Sequence, residues 1–456
     1  MKFRRIGRVG AAAVLVTLVV VAAGCGGGGS KNGSSSTGGV AGAQKTLKGN
    51  ANIKGTISFD GIWTSSSGQK QFQDVINAFE KKYPGVKVNY KPVGNDLPTV
   101  LSTAVAGGHP PDMADIAQPG TVAQFAAQGK LKPITYAKST IAANFAPAWQ
   151  HLGTYGGKLY ALVFKAANKS VVWYNVPAFK AAGVTPPKTF SQLLKDAGTI
   201  KASGTPAYSI GGADGWTLTD MFENIYLRTF GAAKYDQLSQ HKIKWTDPSV
   251  KTALTSMAKI IGDTSNIAGG TSGALQYGFN DSVTNAFGSP PKGAMVFEAD
   301  FVGGVITSST KAKPKTGFNT FTWPAITPGP DAGAVEIGGD LFVTFRDNPA
   351  IEAFVKYLAS AQAAEIWAKQ GGFGTGNKNV PASVYPDPIT KTTEAPIGSA
   401  KAVVFDMSDE QPPSFGATTG QGEWGLFQQF LRNPKNIAGI QKKLESAAAA
   451  AYKKGK

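Results

Sequence analysis

The sequence is poor in the residues from which catalytic and metal-binding motifs are most often built. It has one cysteine, Cys25, so no intrachain disulfide can form. The three histidines, His109, His151 and His241, are widely separated along the chain. The sequence has no cysteine pair and lacks the HExxH, GxSxG and phosphate-binding glycine motifs. We therefore expect a protein that is not an enzyme and that holds neither a metal nor a cofactor.

Acidic residues are scarce relative to basic ones. The 456-residue chain has 46 lysines and arginines against 29 aspartates and glutamates, which gives a formal net charge of +17. Four of the basic residues lie within the first eight positions, and most remaining lysines are scattered over predicted helix faces. No arginine-rich helix or basic repeat is present. This distribution argues against a nucleic-acid partner and is typical of a solvated surface near an anionic membrane.

The first 25 residues have the organisation of a bacterial secretory signal. Basic residues precede an apolar run over residues 11–23, which is too short to cross a bilayer of ~30 Å but has the length of a signal-peptide core. Residues 21–25 resemble a lipobox, although Ala22 stands where leucine is usual. The resemblance implies cleavage before Cys25 and lipidation of its thiol. The alternatives are a plain signal peptide with an incidental cysteine, and twin-arginine export through Arg4-Arg5.

The segment after the signal has almost no side chains that a core could bury. From residue 26 to about residue 49 it consists mainly of Gly, Ser, Lys, Asn and Thr, which is typical of a flexible tether. About 400 residues then remain, more than one hydrophobic core usually supports, so two lobes are expected. The protein is thus predicted to be held outside the cell on a lipid.

Strand and helix patterns alternate at the start of the folded part. Residues 56–59 favour a strand, residues 72–79 place apolar side chains at helical spacing, and residues 86–90 alternate as a second strand. Three later helices begin with capping residues: Thr189, Asp247 followed by Pro248, and Asn348 followed by Pro349. This alternation predicts an α/β fold with mostly parallel sheets flanked by helices.

Four stretches in order resemble the family 1 extracellular solute-binding proteins of ABC transporters, the group that includes maltose-binding protein. They are residues 83–88 behind the amphipathic helix, residues 107–112, residues 157–162 with 173–179 and 186–190, and residues 293–298. The resemblance runs from about residue 54 to the C-terminus. It implies the two-lobe type II periplasmic-binding-protein fold, with a ligand cleft between lobes and a hinge that the chain crosses more than once.

Interrupted sheet segments suggest where the chain crosses this hinge. We place the crossings near residues 156–157, 316–317 and 371–374. The predicted organisation is a signal peptide (1–24), a lipid-anchored tether (25–53), a first lobe (54–157 plus 317–372) and a second lobe (158–316 plus 373–456).

Tryptophans in loops are candidates for stacking on sugar rings, whose C–H faces suit a flat aromatic surface. The alternative for each is a partly buried packing role. The loop tryptophans predicted to contact ligand are Trp63, Trp216, Trp323 and Trp424. The other four are expected to be structural: Trp149, Trp173, Trp245 and Trp367.

Planar polar side chains that pair with adjacent sugar hydroxyls are the second group of candidates. Glu298 and Asp300 end a strand that should point into the cleft. Further candidates follow strands or share loops with the tryptophans: Asp115, Gln118, Asn175, Asp214 and Asp340. Turn or capping roles are the alternative for this second set.

These features predict an extracellular, lipid-anchored and monomeric receptor. It would capture a carbohydrate and deliver it to the transmembrane subunits of an ABC permease. Because the predicted cleft is rich in carboxylates and has no obvious arginine, a neutral or cationic ligand is favoured. Another small solute such as a polyol, glycerol phosphate, polyamine or peptide is the alternative, and a lipid-anchored glycosidase is a further one.

Overall fold

The computed structural model describes residues 49–64, 68–326, 333–399 and 402–454. The predicted signal peptide, Cys25 and almost all of the predicted tether therefore lie outside the described residues. Within those ranges, no helix combines the length and the apolar character needed to pass through a bilayer.

Eleven β-strands lie in the described ranges of the chain. They are β1 Lys54–Gly61, β2 Gly85–Pro92, β3 Met113–Ile116, β4 Thr154–Tyr155, β5 Lys158–Leu159, β6 Ala161–Asn168, β7 Val171–Asn175, β8 Met295–Phe297, β9 Phe318–Thr322, β10 Val335–Thr344 and β11 Val403–Phe405.

Twenty α-helices lie in the same described ranges. They are α1 Gln69–Lys82, α2 Leu97–Ala106, α3 Pro119–Ala127, α4 Lys138–Asn144, α5 Pro147–Leu152, α6 Val176–Ala182, α7 Phe190–Ala202, α8 Trp216–Phe230, α9 Ala232–Ser239, α10 Pro248–Ile261, α11 Gly270–Ala274, α12 Phe279–Phe287, α13 Val302–Ser309, α14 Pro349–Leu358, α15 Ala361–Ala368, α16 Pro388–Ser399, α17 Met407–Glu410, α18 Pro413–Gly416, α19 Gly422–Arg432 and α20 Ile437–Lys454.

A large mixed sheet forms the first lobe. Its strand order is β11-β10-β3-β1-β2, and β6 pairs with β10 as well. The pairs β1–β2, β1–β3 and β10–β11 are parallel, whereas β10 runs antiparallel to β3 and β6. Helix α1 covers one face through Phe72, Val75, Ile76 and Phe79, all completely buried, which confirms the predicted amphipathic helix.

The second lobe is built around a smaller sheet with the order β8-β7-β9. Both of its strand pairs are antiparallel, so the expectation of a mostly parallel sheet is wrong for this lobe. Parallel pairing occurs there only as single bridges among the described residues, as at Tyr208. Helices α8, α10, α19 and α20 supply a separate hydrophobic core that includes Phe222, Trp245, Phe427 and Leu444.

The pairing of the strands places the hinge crossings at positions that differ from the predicted ones. β6 pairs with β10 of the large sheet, so the first crossing lies between β6 and β7 rather than near residue 157. β9 pairs with β7, so the second crossing comes after Thr322 rather than near residue 317. β11 returns to the large sheet, and the third crossing follows Phe405. Sequence pattern alone could not assign these short apolar runs to one sheet or the other.

The three predicted helix starts are present and capped. The Thr189 hydroxyl accepts a hydrogen bond from the Gln192 amide, and the Asp247 carboxylate accepts one from the Ser249 amide. The Asn348 side chain accepts from two amides of the first turn of α14. Each cap satisfies backbone donors that the helix itself leaves unpaired, which fixes where α7, α10 and α14 begin.

Candidate functional site

A cavity of about 360 Å³ lies between the two sheets, and both lobes contribute to its wall. Six of the eleven residues predicted to contact ligand line it: Trp63, Gln118, Asp214, Trp216, Asp340 and Trp424. The structure therefore brings residues that are far apart in the sequence to one concave surface, the usual setting of a small-molecule site.

Trp216 is the tryptophan with the most accessible ring in this wall. It is the first residue of α8 and is only partly buried. Its ring packs against Phe279 at 5.4 Å and Phe301 at 6.2 Å between centroids. The ammonium nitrogen of Lys169 lies 5.6 Å from the centroid of the Trp216 ring, within the range of a cation–π contact. Trp216 thus has support on several sides while it still lines the cavity.

Trp63 lines the cavity, and most of its side chain is packed against other residues of the first lobe. The side chain is 3% exposed and meets Trp367 edge-on, with 4.7 Å between ring centroids. Gly68 allows this packing because an added Cβ would lie 2.6 Å from the Trp367 ring, and its φ of +120° disfavours other residues. Trp367, expected to be structural, also lines the cavity. The first lobe therefore presents rigid, mostly buried indoles.

Trp424 lies close to the loop that precedes α8. An added Cβ on Gly215 would stand 2.7 Å from the Trp424 Cβ, so glycine is required for this approach. Trp424 is 3% exposed, so it offers the cavity only a small part of its ring. Trp216 is accordingly the least buried of the four tryptophans that line the cavity.

Among the described residues, polar side-chain contacts at two places join the lobes across the cleft. The Gln118 amide donates to the Asp409 carboxyl at 3.1 Å. Asp214, in the loop before α8, pairs with the Asn95 side chain of the first lobe and accepts a 2.6 Å bond from the Phe279 amide. Burial raises the pKa of Asp214, and these hydrogen bonds oppose that shift. The two walls of the cleft are thus in contact in this structure.

Three lysines that were not predicted line the cavity as well: the exposed Lys70, which pairs with Asp74 on α1, and the buried Lys165 and Lys169. Lys165 is paired with Asp340 at 3.6 Å, and Lys169 is paired with Asp220 at 3.0 Å and with Asp406. Both lysines are more than nine-tenths buried. Burial opposes the charge of Lys169, yet Asp220 and Asp406 raise its pKa well above its usual value. The buried positive charge at the site therefore comes from Lys165 and Lys169, and their position in an apolar strand run is the signal that could have revealed them.

Three other predicted carboxylates lie behind the cavity wall instead of lining it. Asp115 is completely buried, and burial together with the charge of Asp340 raises its pKa. Glu298 is 3% exposed, and its pKa is raised first by burial and then by Asp220. Asp300 accepts a 2.8 Å hydrogen bond from the Asn168 amide at the end of β6. All three are therefore buried beneath the cavity surface and do not form part of it.

Two further predicted residues belong to the core of the second lobe. Asn175 caps α6 by accepting from the Ala178 amide, and it donates to the Ala286 carbonyl. Trp323 is 3% exposed and stacks on Phe297 with 4.8 Å between ring centroids. Neither lines the cavity, since capping and core stacking already engage their side chains. These are the alternatives that the sequence left open.

Buried carboxyl groups accumulate where α8 meets the hinge. Oxygens of Asp220, Glu336 and Asp406 lie within 4.8 Å of one another. The Lys169 ammonium already contacts two of these groups, so the chain supplies its own cation. Burial, then the charges of Asp220 and Asp406, raises the pKa of Glu336 well above its usual value. Burial therefore disfavours the ionised form of Glu336.

Two lobes joined by three crossings, with a cavity between them, form the architecture of a protein that binds a solute between its lobes. Residues 63–365 match the family described as bacterial extracellular solute-binding protein, and the chain belongs to that family. It is 31% identical over 423 residues to the alpha-glucosides-binding periplasmic protein AglE of Rhizobium meliloti (strain 1021), covering 89% of this chain and 90% of AglE. It is 30% identical over 358 residues to the osmoprotective compounds-binding protein GgtB of Synechocystis sp. (strain ATCC 27184 / PCC 6803 / Kazusa), covering 77% and 83%.

Solved structures share the fold at lower sequence identity. The bacterial solute receptor AcbH, described as having an exclusive preference for b-D-galactopyranose, superposes with a TM-score of 0.76 at 22% identity, covering 88% of this chain and all of AcbH. A chitin oligosaccharide binding protein gives a TM-score of 0.77 at 19% identity, covering 88% and 99%. These similarities confirm the predicted two-lobe fold.

Proposed function

We propose that the protein is the lipid-anchored receptor of an ABC importer that binds an α-glucoside or a related neutral polyhydroxyl compound between its lobes. The observation that carries the proposal is the wall around Trp216, where an accessible indole stands beside Asp214, Lys169 and Asp340. A flat apolar face next to paired polar groups suits a sugar ring with its hydroxyls. The ligand class follows the names of AglE and GgtB, which match most of this chain.

Charge in the wall supports a neutral ligand. The cations Lys165 and Lys169 are paired with carboxylates of the protein itself. An anionic ligand would have to compete with those carboxylates, and a cationic ligand would have to compete with the lysines. A neutral hydroxyl can instead donate to a carboxylate and accept from a lysine without disturbing either pair. The balance therefore favours sugars over the glycerol phosphate and polyamine alternatives.

The test is a melting-temperature screen of the full-length chain in detergent. Maltose, trehalose and sucrose represent the α-glucosides, and glycerol 3-phosphate and spermidine represent the charged alternatives. A ligand present at about 100 times its dissociation constant adds ~2.7 kcal/mol to the stability of the native state, so a binding sugar raises the melting temperature. Stabilisation by the charged compounds alone would overturn the proposal.

Two further measurements separate the proposal from its alternatives. Binding of a neutral sugar should change little between low and physiological salt, because salt screens mainly interactions between charges. Incubation of the sugar with the protein should leave it chemically intact, since the proposed receptor binds its ligand without converting it. Release of hydrolysed sugar in proportion to protein concentration would instead indicate a glycosidase.

A further inference from the structure

The ends of the three crossing segments are hydrogen-bonded side by side. Lys169 follows β6, and its backbone amide donates to the carbonyl of Glu336 in β10 at 2.9 Å. Asp406 follows β11, and its amide donates to the carbonyl of Ile337 in β10 at 2.8 Å. The backbone segments at the three crossings are therefore hydrogen-bonded side by side and form one short row. Any change in lobe angle has to be absorbed at or beside this row.

One side chain connects this row to the ligand cavity. The Lys169 ammonium contacts Asp406 on the third crossing and Asp220 on α8, and it lies over the Trp216 ring. Trp216 and Asp220 are four residues apart on α8, so they lie on the same face of the helix in successive turns. The ammonium therefore links two of the crossings to the first turns of α8, on the side that faces the cavity.

We propose that Lys169 is a positioning residue for ligand binding, which fixes the Trp216 ring and the three crossings in one arrangement. Its influence on sugar affinity rests on the proposed function, whereas its influence on the crossings does not. A buried ion pair contributes little net stability compared with apolar side chains of similar volume, because both charges lose their hydration. Its contribution here is geometric, since the ammonium has partners in a fixed direction on separate segments.

The charges near this ammonium make the arrangement specific to a cation. On α8 it faces Asp220, and on the third crossing it faces Asp406 and Asp409. The charge of Glu298, which follows β8, also raises the pKa of the Lys169 ammonium. Neither carboxyl oxygen of Glu336 in β10 has a hydrogen-bond partner among the described residues. An apolar side chain at position 169 would leave Asp220 and Asp406 without the ammonium that contacts both of them.

A variant that removes the ammonium together with both carboxylates it contacts separates positioning from simple stabilisation. Lys169→Met alone leaves buried carboxylates unpaired and should lower the melting temperature. The triple variant Lys169→Met, Asp220→Asn, Asp406→Asn removes the ammonium together with two negative charges, and asparagine can still cap α17. The control is Lys201→Met with Asp263→Asn, which removes an ion pair of 2.9 Å from the surface of the second lobe.

The experiment measures amide hydrogen exchange and maltose, trehalose and sucrose affinity on full-length chains. The triple variant should melt near wild type, yet amides of residues 167–173, 335–338 and 404–408 should exchange about tenfold faster without sugar. Exchange in β1 and β2 should not change. Affinity for whichever of these sugars binds should fall about tenfold, and the control should match wild type in both measurements.

Wild-type exchange at the crossings in a stably folded triple variant would overturn the proposal. If the triple variant does not fold, Asp220→Asn alone decides, because it keeps Lys169 paired with Asp406 while freeing α8. It should accelerate exchange in the first turns of α8, and unchanged exchange there would overturn the proposal equally. If the wild-type chain binds none of the three sugars, the proposed ligand class fails, and the exchange data still decide the role of Lys169.

Discussion

The side-chain amide of Gln118 donates a 3.1 Å hydrogen bond to the carboxyl group of Asp409, which joins α3 of the first lobe to α17 after the last hinge crossing. The two residues are separated by 291 positions in the sequence and are both more than nine-tenths buried. Burial and the charge of Asp406 raise the pKa of Asp409 well above its usual value. The hydrogen bond from Gln118 opposes this shift, because it favours the ionised carboxylate.

Gln118→Ala should weaken sugar binding by destabilising the joined arrangement of the lobes. A hydrogen bond of this kind contributes about 1 kcal/mol net, which corresponds to about a fivefold rise in the dissociation constant. Calorimetric titration of the full-length chain measures the change. Gln73→Ala is the matched control, because Gln73 donates a 3.0 Å bond to Asn77 on the exposed face of α1. Equal affinities for both variants would show that the Gln118 contact does not favour closure.

Local periodicity made the framework of the fold predictable. Residues 72–79 have apolar side chains at helical spacing, and the structure buries them against the large sheet as α1. Capping residues such as Asn348 place helix starts correctly because a cap acts only on its own first turn. The sheet to which each strand belongs could not be predicted in the same way. β6 and β7 are separated by two residues and have the same apolar character, but their partners come from β10 and β9.

The cavity residues were only partly predictable for a related reason. Trp216 follows a glycine-rich loop, a local feature, and it lines the cavity. Trp323 follows strand β9, but its ring stacks on Phe297. Sequence pattern cannot show such a contact. Lys165 and Lys169 lie within an apolar run and pair with residues far away in the chain, such as Asp340 and Asp406. Their role becomes visible only when the three crossings come together.

Trp216→Ala should weaken sugar binding without a large loss of stability. Its ring is partly exposed at the cavity, so its removal chiefly takes away contact area for the ligand. An aromatic contact of this kind contributes roughly 1 kcal/mol, about fivefold in the dissociation constant, and the lost buried area adds to this, so the dissociation constant should rise about tenfold. Calorimetric titration and thermal melting of the same sample measure both quantities. Wild-type affinity would show that the ligand does not use this face.

Trp323→Ala should have the opposite effect. The side chain is 3% exposed and stacks on Phe297, so its loss leaves a cavity in the second-lobe core. Such a truncation costs about 3–5 kcal/mol, and the melting temperature should fall clearly. The folded fraction should bind sugar with wild-type affinity, because Trp323 does not line the ligand cavity. Weaker binding by a fully folded variant would indicate that the core contact also shapes the site.

Cys25→Ser should release the protein from membranes while its folded part stays intact. Cys25 is the only thiol in the sequence and directly precedes a segment rich in glycine and serine. A lipidated cysteine would partition into detergent on phase separation, and serine provides no acceptor for the lipid. Thermal melting with and without sugar should be unchanged, since the variant differs only before the folded lobes. Retention of the serine variant in the detergent phase at the wild-type level would contradict the lipid anchor.

Glu336→Gln should make stability less sensitive to alkaline pH. Burial first, and then Asp220 and Asp406, raise the pKa of Glu336 well above its ordinary value of 4.5, whereas Lys169 and Arg228 oppose the shift. The folded protein therefore holds a proton that the unfolded chain releases. Its stabilising effect is fully present below the unfolded pKa and is lost as the pH rises through the folded pKa.

Glutamine at position 336 has no such proton to lose. The difference in melting temperature between Glu336→Gln and wild type should therefore grow in favour of the variant as the pH rises from about 5 to about 9. Other buried carboxyl groups, including Glu298, also have raised pKa values, so the wild-type dependence should be reduced in the variant but not abolished. Glu352→Gln, which removes a carboxylate paired with Lys356 on the surface of α14, is the control for loss of a carboxylate outside the buried group. A constant difference for Glu336→Gln would show that Glu336 is already ionised in the folded protein, and that Lys169 balances more negative charge than its two direct contacts indicate.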